Sequence, residues 1–249
     1  MMPLALRVLV AVVCLSLTSL VEAQQSNTPA GLLGAALAAL GATSIQTGTL
    51  TGNSELVSGT SEESGSFIAQ CSVDGSSQLQ LSFSSGSRTE IRKTTNGFPS
   101  GSWIDSQGVS HAMAGHNVFT PESWFCPHIV LSRLLLNPNL NIQNLGQESK
   151  NGISVLHFVI APIPKGSARS SLLTAHLSTL EIYLDSASLR PVSLNYNFHP
   201  DNSATVDIPV EIQFGGFNDT SGVWTPGSIE QYVNSTLVLK LQVESATSL

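Results

Sequence analysis

From Ser44 onward the chain alternates apolar and polar residues with a period of two, the pattern of strands with one dry face. Phe67, Ala69, Cys71 and Val73 fall on one side of such a run, Asp74-Gly75 supplies a turn, and Leu79, Leu81 and Phe83 resume the alternation. A turn at residues 105–108 separates a strand carrying Trp103 from one carrying Val109, His111 and Met113. Lys150-Asn151-Gly152 predicts a tight hairpin between residues 141–149 and 153–160, because an Asn-Gly pair tolerates the positive φ that such turns need. In the second of these strands Ile153, Val155 and Val159 point one way and Leu156, Phe158 and Ile160 the other, so both of its faces are expected to be covered. The last third alternates most cleanly, through Val192, Leu194, Tyr196 and Phe198, then Val206 to Phe214 at every second position, then Leu237, Leu239, Leu241 and Val243. One wet and one apolar face define this sheet.

Two stretches carry a helical pattern instead. Thr28-Pro29 supplies an N-cap and a proline at the first helical position, followed by Leu32, Leu33, Ala36, Leu37 and Leu40, with Gly41 as the stop. In FTPESWFCPHIVLSRLLLNP, residues 119–138, Thr120 can cap, Pro121 takes the first helical position, and Ile129, Val130, Leu131, Leu134 and Leu135 form a wide apolar face ended by Asn137-Pro138. Pro127 is expected to kink this central helix behind a Trp124-Phe125 turn. Residues 164–178, rich in Gly, Ser and Ala, read as a lid or a loosely ordered loop.

Residues 1–23 have one positive charge at Arg7, an apolar run from Val8 to Leu20 and a Val21-Glu22-Ala23 cleavage pattern, which reads as a secretory signal. The mature chain, residues 24–249, is then expected to be one exported domain with no transmembrane span. Charged residues are only 11% of the chain, which favours strands and turns over solvated helices. The net charge of −7 and the scattered cations leave no basic stripe to track phosphates, so nucleic acid is not an expected partner.

The chemistry-bearing residues cluster around the central helix: His111, His116, Cys126 and His128. A zinc protease helix needs His-Glu-x-x-His to place two ligands one turn apart, and the spacing from His111 to His116 fits neither a helix nor one strand face. Cys126-Pro127-His128 lacks the two-residue gap usual for paired ligands. Neither Gly-x-Ser-x-Gly nor Ser-x-x-Lys occurs. No catalytic residue, metal or cofactor is therefore expected, and a hydrolase or metalloprotein built on these four residues is the weakest of three readings. Loss of Cys14 with the signal leaves Cys71 and Cys126 as a candidate disulfide in an oxidising compartment, feasible if the central helix lies on the apolar face that Cys71 shares. His157, His176 and His199 are scattered, each readable as a strand or loop residue with a local partner.

Tyr183-Leu184-Asp185 with Arg190-Pro191-Val192 a short turn later, residues 211–217 as the next strand, and Trp224-Thr225-Pro226 before Ile229 follow an order that resembles the exported lipoprotein carriers of the LolA-like superfamily. The resemblance implies an α+β fold, mainly antiparallel β, whose single twisted sheet forms an unclosed half-barrel with helices over its concave apolar face. It also implies a cavity for acyl chains and no catalytic residues.

The leading expectation is an exported, non-enzymatic protein that binds a hydrophobic ligand, a lipid or an acylated protein, in that concavity. Trp103, Phe119, Trp124, Phe125, Phe158, Tyr196 and Phe214 are the candidate lining, the ordinary alternative for each being a place in a packed core. The competing expectation is an envelope sensor or scaffold that binds a protein partner and fills its own core.

Overall fold

The computed structural model describes residues 28–165 and 169–248. The predicted signal at 1–23 lies outside them. In chain order the elements are α1 (Pro29–Ala39), β1 (Thr47–Ser58), β2 (Ser61–Ser72), β3 (Ser77–Phe83), β4 (Gly86–Thr95), β5 (Phe98–Ile104), β6 (Ser110–Ala112) and α2 (Pro127–Leu136). Then come β7 (Leu140–Lys150), β8 (Ile153–Pro162), α3 (Arg169–Leu177), β9 (Leu180–Asp185), β10 (Pro191–Phe198) and β11 (Ile208–Gly215). A small β12–β13 hairpin (Asn218–Thr220, Val223–Thr225) precedes β14 (Ser228–Val233) and β15 (Thr236–Ser248).

Thirteen of these strands make one antiparallel sheet in the order β6-β5-β4-β3-β2-β1-β15-β14-β11-β10-β9-β8-β7. It consists of two meanders, β1 to β6 and β7 to β15, joined where β15 pairs with β1. The free edges are β6 and β7, and the chain between them, residues 113–139, must run from one edge of the unclosed half-barrel to the other. Register shifts at Thr51/Gly52, Gln231/Tyr232 and Asn144/Gly146 act as bulges, which bend a strand and increase its twist.

The predicted alternation places the core. Phe67, Ala69, Cys71, Leu79 and Leu81 on one meander face Ile182, Leu184, Leu194, Ile212 and Leu241 on the other, with α1 and α2 between them. β8 is covered on both sides only in part: Phe158 and Ile160 enter this core and Val155 is buried on the opposite face, where Ile153 is 40% exposed. The Asn151-Gly152 turn has the positive φ angles anticipated, 53° and 77°. Thr28 caps α1 by accepting a hydrogen bond from the Gly31 amide at 3.0 Å, and Leu33, Ala36 and Leu37 are buried.

Three local expectations change. The central helix starts at Pro127, not Thr120. Proline is accommodated in the first helical turn and pushes the preceding residue out of the helical region, and Cys126 accordingly has φ −118° and ψ 80°. The bend is therefore a junction between a turn at 121–125 and a straight helix. Thr120 instead closes a short 3-10 turn, Asn117–Phe119, by donating to the Asn117 carbonyl at 2.9 Å. The Ser-rich 164–178 connection contains a helix, α3, which the weak apolar pattern of Leu172, Leu173 and Leu177 did not announce. The strand expected to begin at Val206 begins at Ile208, with Val206 exposed in the preceding loop.

Candidate functional site

The crossover from β6 to β7 is held across the trough by a side chain of the first meander and by backbone groups of the second. Arg92 of β4, only 1% exposed, donates to Glu90 at 2.7 Å, to the Asn117 carbonyl at 2.9 Å and to the Thr120 hydroxyl at 3.0 Å. Burying a guanidinium is unfavourable unless its donors are used, and here all three nitrogens are engaged. On the far side the Asn117 side chain donates to the His199 carbonyl at 2.8 Å and accepts from the His199 amide at 3.0 Å. The 113–125 segment is thus a strap tying β4 to the end of β10.

Cys126 forms a disulfide with Cys71 on β2, so the candidate pair is bonded and α2 is stapled to the sheet where the strap ends. Closing a loop with a separation of 55 residues stabilises by about 4 kcal/mol in the chain-entropy model. Beside it His128 is 1% exposed, with neither ring nitrogen hydrogen-bonded among the described residues. Burial pulls its pKa from 6.5 down to about 4, so the ring is neutral at neutral pH. Gly48 of β1 makes this approach possible: a Cβ there would stand 3.0 Å from Cys71 Sγ and 3.2 Å from His128 Nε2.

One side of α2 is therefore sealed, and the other is not. A cavity of about 390 Å³ lies between α2, the strap, the β4–β5 turn, α3 and the ends of β7 to β9. Val118, Phe119, Val130, Leu134, Ile160 and Leu180 give it an apolar wall. The only charged residues lining it among the described residues, Glu122 and Arg133, pair at 2.9 Å. Phe98, Leu136, Ile163 and Leu172 are neighbours in sequence of lining residues or lie within two positions of them, and all are exposed, Phe98 by 77%.

Of the seven predicted lining residues, Phe119 borders this cavity. Trp103 and Trp124 border a smaller crevice of about 220 Å³ with Leu81 and Leu239. Phe125, Phe158, Tyr196 and Phe214 are buried in the core. Arg92, Thr174 and Ser178 escaped the sequence reading, since an arginine in an alternating strand and hydroxyls in a Ser-rich loop carry no local signal.

The four residues weighed as a catalytic or metal group do not converge. His111 stacks on Trp103 and contacts Asp105 at 2.9 Å. His116 contacts the Pro200 carbonyl, Cys126 is in the disulfide, and His128 is enclosed in the core side of α2. Their proximity in sequence is undone by the strap, which carries His116 toward β10 and Cys126 toward β2.

A single antiparallel sheet, unclosed, with helices laid across its hollow face and a cavity beneath the crossover, is a LolA-like fold. No protein-family model matches the chain, and no curated protein matches it in sequence. Solved structures do match. A domain described as an outer membrane lipoprotein-sorting protein from Vibrio parahaemolyticus superposes with a TM-score of 0.55 at 10% identity, covering 88% of this chain and 91% of that one. A DUF1329 family protein from Desulfovibrio piger gives 0.56 at 10% identity, with 90% and 93% covered. A LolA superfamily protein from Nitrosomonas europaea gives 0.53 at 10% identity, with 86% and 92% covered. No helix among the described residues is long and apolar enough to cross a membrane.

Proposed function

We propose that this protein is an exported, non-enzymatic carrier that holds a hydrophobic ligand, a lipid or the acyl chain of a modified protein, in the cavity under the strap. The observation that carries this reading is the cavity of about 390 Å³, walled by Val118, Phe119, Val130, Leu134, Ile160 and Leu180, with exposed apolar side chains close to its lining residues in sequence. The volume falls in the range of ligand pockets, roughly 300–1,000 Å³. Exposed Phe98, Leu136 and Leu172 cost solvation in the free protein, a cost offset when an apolar ligand or donor surface covers them. The fold likeness to a lipoprotein-sorting domain supports the same reading. Residues 1–23 serve as the export signal in this account, with the mature chain starting near Gln24.

Phe119 is the predicted aromatic that would line this ligand, while Trp103 and Trp124 border the separate, smaller crevice. Phe125, Phe158, Tyr196 and Phe214 support these walls from behind.

Native mass spectrometry of protein purified under mild conditions, followed by solvent extraction, tests the proposal. Bound mass matching an extracted lipid is expected, and Val130→Phe, which fills the cavity, should abolish it without lowering the melting temperature greatly. A single ligand-free mass for the native protein, with nothing in the extract, would count against it. That result would favour the second reading, a sensor or scaffold binding a protein partner, which draws on the self-filled part of the core where Phe158, Leu184 and Ile212 are completely buried.

A further inference from the structure

Two of the three histidines that looked scattered in the sequence, His176 and His199, meet in the fold. His176 near the end of α3 and His199 just after β10 both point Nε2 at one oxygen of Asp207, at 3.0 and 3.1 Å. The three donor atoms lie within 4.8 Å of one another. From this convergence we infer a divalent transition-metal site, of the zinc class, with His176 Nε2, His199 Nε2 and Asp207 Oδ1 as protein ligands.

The geometry is close to what such an ion requires. Tetrahedral coordination with bonds of about 2.0–2.1 Å places neighbouring donors ~3.3 Å apart. The two His–Asp separations fall within a few tenths of an ångström of that value, and the two imidazole nitrogens lie within 4.8 Å of each other, so an ion would draw the rings together. Two imidazoles and one carboxylate are a donor set that zinc and its neighbours accept, whereas calcium and magnesium prefer oxygen throughout.

The surroundings orient the ligands. The paired hydrogen bonds of Asn117 fix the backbone of His199, whose side chain is fully buried. Its ring stands between those of His116 and His176, with centroids 5.9 and 5.7 Å away. His116 is itself held by the Pro200 carbonyl at 2.9 Å. These contacts fix where the His199 ring stands, while its Nδ1 is buried without a hydrogen-bond partner among the described residues.

Access and field also suit a cation. His176 and Asp207 line a polar cavity of about 500 Å³ together with Glu181, Glu211, Asn195 and Asn197. An ion entering from that side would meet the open edge of the site and leave a fourth position for water. Once bound it would clasp α3 to the β10–β11 connection. Thr174 and Ser178, on either side of His176 in sequence, line the cavity under the strap, so the clasp would set one of its walls. The metal site itself stands on these three ligands, whatever that cavity holds.

The test uses tag-free protein stripped with a chelator, then titrated with Zn²⁺ and, for a spectroscopic signature of the ligand set, with Co²⁺. One ion per chain is expected, with ligand-field absorption from Co²⁺ displaced by Zn²⁺. His176→Gln and Asp207→Asn, both at partly exposed positions, should each weaken binding by more than about 100-fold. Asn117→Ala, which releases the backbone of His199, should weaken it less than the ligand variants do. His111→Gln, on the edge strand β6 where its ring stacks on Trp103, should leave it unchanged. Circular dichroism verifies folding, and amide exchange across Arg169–Leu177 should slow with Zn²⁺ only in the wild type. Absence of stoichiometric binding, or binding that persists in both folded ligand variants, would overturn the site. Unchanged exchange in α3 on saturation would overturn the clasp.

Discussion

The two faces of α2 have opposite surroundings. Away from the cavity, His128, Ile129 and Leu131 are buried to within 1% of their surface, His128 beside Gly48, which Cys71 of the disulfide also approaches. Towards β7 to β9, Val130, Arg133 and Leu134 border the cavity. The same ten-residue helix is an anchor on one side and a roof on the other, which lets the trough open on one flank without loosening the fold.

The largest expected effect comes from releasing the anchor. Replacing Cys71 and Cys126 together with alanine should lower stability by about 4 kcal/mol, read by chemical denaturation, and should lower it on the sealed flank without filling the cavity. Next is a paired truncation that contrasts the faces directly. Leu131→Ala should cost about 2–5 kcal/mol, as for a fully buried leucine, whereas Leu134→Ala should cost about 1 kcal/mol or less while weakening ligand retention. Equal costs for the two would erase the distinction.

The third prediction concerns acid. His128 protonates near pH 6.5 when unfolded and near pH 4 when folded, because burial disfavours its charged form. Between those values the unfolded chain binds more protons, so stability falls as pH drops from about 6.5 to 4, by roughly 3 kcal/mol in all. Asp105 and Asp185 have lowered pKa values, through the His111 hydrogen bond and the Ser188 amide respectively, and their contributions are lost only below about 4, as those carboxylates protonate. His128→Leu should therefore flatten the melting-temperature profile between pH 6.5 and 4 and leave the decline below it. A profile unchanged by this substitution would show that the ring is not the acid-sensitive group on this face.

The sheet was legible because its register is written in alternation. Once Phe67, Ala69 and Cys71 share a face, the Asp74-Gly75 turn returns Leu79 and Leu81 to it, and each later hairpin repeats the step. Cys71 and Cys126 were legible as a pair for a different reason, since two remaining cysteines in an exported chain have few alternatives. The helix start was misplaced because Thr120-Pro121 and Cys126-Pro127 are both acceptable openings, and only the pull of Arg92 and Asn117 on the strap chooses between them. Arg92 itself gave no signal: its burial depends on Asn117 and Thr120, more than twenty positions away. The meeting of His176, His199 and Asp207 depends on where α3 docks after β8, a tertiary placement that local spacing does not encode.

The central claim is that the unsealed flank of α2 holds an apolar ligand. The most direct measurement is photo-crosslinking with a diazirine-bearing fatty acid, followed by peptide mass spectrometry. The account predicts adducts on Phe119, Val130, Leu134 and Ile160, reduced by Val130→Phe and by competing unlabelled lipid. Adducts confined to the outer face of the sheet, around His157 and Tyr183, or none that an unlabelled lipid competes away, would contradict it.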